Sequence, residues 1–308
     1  MLADEERALK PALVLFPGAL GDAVCFEPTL DAIAAGGPVV LHARGAAAEV
    51  ARLFPARPRI RSLDEPAIAR LFAPLANDAA GSGGDAAWLE GFDRIWSFTG
   101  AADSAARARL EAHGARVVAF PRRPTGAHLC DAFLRGATGD PRAVARAPRV
   151  VPDRSGAAVA PADRLLLVHP GAGAVARRTP FEVLVAIASR WRRGGHGDVG
   201  VIAGPADADL AGAWIARGFR VVRPPDAATL ASELARASAF LGNDSGPSHL
   251  AAAVGLPGLA LFRASDPTAF APRGEHFAWL LLDGGADAVD RAWEALRRVV
   301  LDSPGGRH

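Results

Sequence analysis

The chain has 308 residues, half of them hydrophobic, with 35 Lys and Arg against 33 Asp and Glu for a formal net charge of +2. That length can bury one large core or two medium ones, with two domains favoured. The near-balanced charges run along the whole chain with no continuous basic face, which excludes nucleic acid as the expected partner.

Short β-branched or Leu-rich runs bounded by Gly, Pro or Asp alternate with longer Ala/Leu/Arg segments of helical period, the pattern of βαβ units around parallel sheets. In the first half this predicts strands at 12–16, 39–42, 94–98 and 116–120, with helices at 22–35, 101–113 and 127–136. Between them the small polar run 77–85 reads as a surface loop. A stretch poor in periodicity, 138–162, reads as a linker, so the domain boundary is expected near Pro161. The rhythm then restarts, with strands predicted at 165–169, 199–203, 220–222, 239–242 and 258–262 and helices at 180–193, 207–217, 227–237 and 247–254. A last helix, 287–301, carries Val289, Trp293, Leu296 and Val300 on one stripe, spaced to lie against a lobe.

Two cysteines, Cys25 and Cys130, stand far apart with no C-x-x-C or metal-ligand spacing, so neither a disulfide framework nor a zinc site is expected and a reducing cytosol fits. The charged first ten residues are unlike a signal peptide. No apolar run approaches the roughly 20 residues of a membrane-spanning helix, so the chain is not expected to cross a membrane by itself.

Three strand-to-helix junctions carry candidate chemistry. The first, Gly18-Ala19-Leu20-Gly21-Asp22, joins a strand to a helix. Its glycines let backbone N–H groups approach a ligand, and a carboxylate at a strand's C-terminal edge is where open α/β sheets put reactive groups. A plain tight turn with Asp22 as helix cap explains it equally well. The second, His169-Pro170-Gly171-Ala172-Gly173, continues to Arg177-Arg178-Thr179-Pro180, and its two guanidiniums before a helix could grip phosphate oxygens. Like charges at a positive helix end favour an anion there over a merely solvated pair. The third, Asn243-Asp244-Ser245-Gly246-Pro247-Ser248-His249, can leave N–H groups of Ser245 and Gly246 free for a diphosphate. Ser245 lacks a G-x-S-x-G context for a hydrolytic nucleophile, and His249 reads equally as a buried histidine or a phosphate contact. Asp207-Ala208-Asp209 matches a D-x-D metal motif superficially, but helix capping explains it more cheaply, and no metal is assigned.

Together, in this order, the three junctions resemble glycosyltransferase family 9, the ADP-heptose:lipopolysaccharide heptosyltransferases. The resemblance runs from about 12 to 262 and is strongest in L-V-L-F-P-G-A-L-G-D, L-L-L-V-H-P-G-A-G, V-I-A-G-P-A-D and F-L-G-N-D-S-G-P-S-H-L-A-A-A-V-G-L-P. It implies an α/β, GT-B-like architecture: two Rossmann-like domains whose parallel sheets face a central cleft. Residues 1–160 would form the acceptor-binding domain and 161–308 the nucleotide-sugar-binding domain, with the last helix packing back across the cleft. It implies Asp22 as general base toward the acceptor hydroxyl. The donor would be held by Gly18, Gly21, His169, Gly171, Gly173, Arg177, Arg178, Asp244, Ser245, Gly246, Pro247 and His249, with free amides replacing a metal ion. The implied reaction is an inverting, metal-independent transfer, with no cofactor, of a sugar such as heptose. The donor would be an ADP-sugar and the acceptor a lipopolysaccharide-core or other lipid-linked glycan. The implied location is the cytoplasm, including peripheral contact with the inner membrane. Pro17 and Thr179 depart from the family pattern, where a basic and an aromatic residue are common. A binding protein that has lost catalysis, and an epimerase or hydrolase of the same fold, are the alternatives.

Overall fold

The computed structural model describes residues 10–73, 87–152, 164–204 and 207–302. The loop expected at 77–85 and the boundary expected near Pro161 lie outside the described residues. The N-terminal lobe contains β1 (Ala12–Leu15), α1 (Leu20–Ala34), β2 (Val39–Ala43), α2 (Gly45–Ala51), β3 (Arg59–Ser62), α3 (Pro66–Leu71), β4 (Arg94–Ser97), α4 (Ser104–Ala112), β5 (Arg116–Val117) and α5 (Leu129–Thr138). Its strands form one parallel sheet in the order β3-β2-β1-β4-β5.

The C-terminal lobe contains β6 (Leu166–His169), α6 (Phe181–Arg193), β7 (Val199–Ile202), α7 (Ala208–Ala216), β8 (Arg220–Val222), α8 (Ala227–Arg236), β9 (Ala239–Asn243) and α9 (Gly246–Ala253). It ends with β10 (Gly258–Phe262), α10 (Pro267–Phe270), β11 (Phe277–Leu281) and α11 (Ala288–Val300). The second parallel sheet runs β11-β10-β9-β6-β7-β8. In both lobes the first strand of the lobe sits at the centre and the chain winds outward on either side, so each sheet has a point where the winding reverses, between β1 and β4 and between β6 and β9. Crevices open at such points, beyond the C-terminal ends of the strands.

Central strands β1, β2, β6, β7, β9 and β10 are buried at every position, as strands covered by helices on both faces must be. Edge strand β3, Arg59-Ile60-Arg61-Ser62, is largely exposed and has no apolar run, which is why the sequence pattern misses it. Just past β1, Phe16 stacks on Phe26 of α1 with ring centroids 4.4 Å apart, and Phe98 and Phe133 meet Phe26 edge-on at 4.8 and 5.4 Å. Each fully buried ring contributes about 1.5–3 kcal/mol, so the turn between β1 and α1 rests on a rigid base.

The largest apolar cluster is shared by the lobes: Val24, Phe26 and Val50 of the first lie in one cluster with Leu230, Leu250 and Ala251 of the second. Polar ties reinforce it. Arg273 grips Asp131 with two bonds of 2.8 and 2.7 Å. His128 Nε2 is 2.8 Å from the Ala271 carbonyl, and Glu49 accepts the Ala227 N–H at 2.8 Å.

The last helix corrects an expectation. α11 forms where the periodicity predicts, but it packs on α6, β10 and β11, burying Trp293, Leu296 and Val300 in a cluster made of C-terminal residues. Its apolar stripe is consumed by its own lobe's sheet and is not available to cross the cleft.

Candidate active site

Two adjoining hollows of about 420 Å³ each open between the lobes and share Leu20, Gly173, Ser245, Gly246 and Pro247. One is walled by Ile202, Pro224, Pro225 and Leu230, with Glu49 and Asp226 at its edge. The other holds Asp22, Arg122, Arg177, Asp244, His249 and Ser265. Their shared residues lie in segments that follow β1, β6 and β9, the strands at the reversal points of the two sheets.

Asp22 sits in the first turn of α1, part-buried, with its carboxylate accepting the Ala19 N–H at 2.9 Å. Burial raises it above the ordinary carboxylate range. The Ala19 bond and the Arg122 and Arg177 charges act in the opposite direction. No salt bridge to Asp22 is found among the described residues. Gly18 does not line either hollow; a Cβ there would lie 2.7 Å from Asp22 Cβ and 2.5 Å from the Phe16 ring, so this glycine makes room for the carboxylate's turn.

The N-terminus of α9 meets that of α1 head to head. A Cβ on Gly246 would sit 3.1 Å from Leu20, and one on Gly21 would sit 3.2 Å from His249 Cδ2, so glycine on each side permits the approach. The N–H groups of Ser245 and Gly246 make no backbone hydrogen bond among the described residues, and Pro247 has none to offer. Two positive helix ends with free amides thus point into one cavity, an arrangement that favours an anion.

Arg177 bonds Asp244 at 2.8 Å, and Asp244 also accepts the Ser265 hydroxyl at 2.6 Å, which fixes the guanidinium at the cavity wall. Gly173 leaves the space this side chain occupies, since a Cβ would lie 2.5 Å from Arg177 Nη2. Arg178 departs from the expectation of a second anion grip. It lines neither hollow, and its guanidinium turns to Asp209 at 3.1 Å and Asp207 at 3.6 Å. Gly171 likewise does not line them; the carboxylate of Asp207 occupies the space a side chain would need.

Asp207 also corrects the capping explanation of the D-x-D run: it makes no side-chain cap bond to α7. Its carboxylate instead accepts the Gly204 N–H at 3.3 Å and meets His169 Nε2 at 3.3 Å. Burial works against ionisation there, yet His169, the Gly204 amide and Arg178 hold Asp207 below the ordinary range. On its other side His169 Nδ1 is 3.1 Å from Ser245 Oγ. The resulting series Ser245, His169, Asp207 braces the α9 turn against β6. The sequence could not show it, because its members come from three separate segments of the chain, the end of β6 and the turns before α7 and α9.

Asn243, part of the third junction but given no role in the sequence reading, is fully buried and ties the loops together. Its amide nitrogen donates to the Pro170 and Gly171 carbonyls at 2.8 and 3.2 Å, and its oxygen accepts the Thr179 N–H at 2.9 Å. Arg122 and Ser265 were also missed. Each follows a strand on the cleft side, and that position was the one available signal. His249 lines the same cavity as Asp22, and burial lowers it to about 4, so the ring is neutral at physiological pH.

Two Rossmann-like lobes with their strand ends turned to a common cleft define the GT-B-like fold class. Residues 165–289 match the family described as glycosyltransferase family 9 (heptosyltransferase), in agreement over the C-terminal lobe with the resemblance read from the motifs. A glycosyl transferase family 9 structure from Veillonella parvula aligns with a TM-score of 0.74 and 16% identity, covering 96% of this chain and 98% of that one. E. coli ADP-heptose lps heptosyltransferase II gives 0.70 and 16%, covering 95% and 99%. E. coli heptosyltransferase WaaC with ADP gives 0.67 and 16%, covering 93% and 99%. At these identities the likeness is one of fold. A search of curated protein sequences returns no match.

Proposed function

We propose that the chain moves a sugar from an ADP-sugar, with heptose as the leading candidate, to a hydroxyl of a lipopolysaccharide-core or related lipid-linked glycan, with inversion and without a metal ion. The observation that carries this reading is that Asp22 of one lobe and the free amides of Ser245 and Gly246 of the other line a single cavity. The nucleoside would occupy the hollow walled by Ile202, Pro224, Pro225 and Leu230, and the diphosphate would lie at the shared residues 245–247. The sugar would then face Asp22.

In this mechanism Asp22 takes the acceptor hydroxyl proton as its oxygen bonds to the anomeric carbon, while the bond from that carbon to the diphosphate oxygen breaks and its electron pair leaves with the nucleotide. The α9 amides, the helix end and Arg177 stabilise the charge that develops on the leaving group. A base and a leaving group on opposite sides of the anomeric carbon would give an in-line displacement, hence inversion. A lipid-linked acceptor would bring the protein to the cytoplasmic face of the inner membrane as a peripheral partner. Among the described residues no helix is long and apolar enough to cross a membrane.

The test is a thermal-shift screen of nucleotide diphosphates and ADP-sugars, followed by transfer assays on truncated lipopolysaccharide acceptors with and without chelator. Stabilisation by ADP, chelator-resistant ADP release that requires acceptor, and an inverted anomeric signal are expected. Sugar release without acceptor would favour a hydrolase. Indifference to every nucleotide would overturn the reading.

A further inference from the structure

His249 is neutral and buried, so it can serve a departing diphosphate only if the ring nitrogen facing the cavity carries the proton. Cys25 of α1, wholly buried, has its Sγ 3.4 Å from His249 Nδ1, across the boundary between the lobes. With Nδ1 occupied, Nε2 is the nitrogen left for the cavity that His249 lines, and no hydrogen bond to it is found among the described residues. Asp22 and Asp244 line that cavity too, and carboxylates favour an N–H over a bare nitrogen lone pair.

We propose that Cys25 is a positioning residue: its S–H donates to His249 Nδ1 and so fixes the tautomer whose Nε2–H faces the diphosphate site. The polarity follows from the chemistry of the pair, since a thiol sulfur is a weak acceptor and an imidazole nitrogen a strong one. The far end of the series is set independently. His128 Nε2 donates to the Ala271 carbonyl at 2.8 Å, and its Nδ1 accepts the Cys130 N–H at 3.2 Å. Cys130 adjoins Cys25, so the series of contacts runs from Ala271 of the C-terminal lobe through His128, Cys130 and Cys25 of the N-terminal lobe to His249 of the C-terminal lobe.

The functional part of this inference rests on the proposed transfer, but its structural part is testable without substrate. Two-bond nitrogen–proton correlation spectra of histidine-labelled protein, with His249 assigned by its loss in His249→Gln, report which nitrogen holds the proton. Wild type is expected to show a single tautomer with Nδ1 unprotonated, Cys25→Ala a mixture, and Cys25→Ser the wild-type pattern. In transfer assays Cys25→Ala should lower kcat about threefold to tenfold, the worth of one hydrogen bond, with donor KM little changed and Cys25→Ser restoring most of the loss. A wild-type proton on Nδ1, or an unchanged tautomer in Cys25→Ala, overturns the proposal. The spectra decide it even if the chain transfers no sugar to any acceptor tried, an outcome that would count against the functional reading alone.

Discussion

Replacing Asp22 by Asn separates the carboxylate's chemistry from its structural part. The Ala19 N–H bond of 2.9 Å needs only an oxygen acceptor, which the Asn side chain keeps, so the α1 turn should survive. What disappears is a base in line with the acceptor, worth about 10²- to 10⁴-fold in rate, or about 3–5 kcal/mol of barrier. Stability should move the other way. Burial raises Asp22 in the folded state, and a carboxyl shifted upward stabilises the fold while protonated, a contribution lost as pH rises through the folded value. At neutral pH the wild type therefore carries a cost that the amide variant does not. The variant should melt at or above the wild-type temperature at pH 7, with the gap closing as pH falls below the unfolded carboxyl value of about 3.9. Turnover is read as acceptor-dependent ADP release, donor binding by calorimetry with ADP, and stability by thermal melts across pH. Turnover within tenfold of wild type would refute Asp22 as the base, and a variant clearly less stable at pH 7 would refute the burial argument.

Arg177→Ala strips the buried Asp244 of its cation and removes a guanidinium from the cavity. ADP affinity should fall about 10- to 100-fold by calorimetry, the worth of a hydrogen bond to a charged group. Gly246→Ala sets a methyl 3.1 Å from Leu20 at the meeting of the two helix ends. A loss of about 1–2 kcal/mol in denaturant unfolding is expected, together with lower kcat/KM, and no change in either would contradict the close approach. Asp131→Asn weakens the interlobe clasp with Arg273 and should cost about 1–3 kcal/mol at pH 7. Burial opposes ionisation of Asp131, but Arg273 and the Ala145 N–H hold it below the ordinary range. Its contribution is therefore present above the unfolded value and fades as pH falls through the folded one, so wild type and variant should converge on acidification.

Most of the sheet framework is legible in the sequence because central parallel strands are continuous apolar runs. Arg220–Val222 and Gly258–Phe262 form with the expected limits, and the helices after β6 to β9 begin within two residues of their expected starts. Elements whose signal is not apolar periodicity are missed: β3 is basic and α2 is a short Ala-rich turn; β11, a half-exposed edge, is missed although its five residues are all apolar. In the site, the three junctions are visible because glycine, proline and a carboxylate cluster after a strand. What the sequence cannot show is which side chain answers which. Arg178 reads like Arg177 but is claimed by Asp207 and Asp209, while Gly18 and Gly171 serve neighbouring carboxylates and not a ligand. The contact between Cys25 and His249 spans 224 positions and has no local signature at all.

The apolar cluster common to both lobes bears on how such a chain can be cut or recombined. Severed near residue 160, either half would present to water the surfaces where α1 meets α9 and α2 meets α8, including Leu250 and Ala251 on one side and Val24 and Val50 on the other. Isolated halves should therefore clump or remain loosely ordered, and a hybrid enzyme would inherit function only if helices α1 and α9 travel as a matched pair.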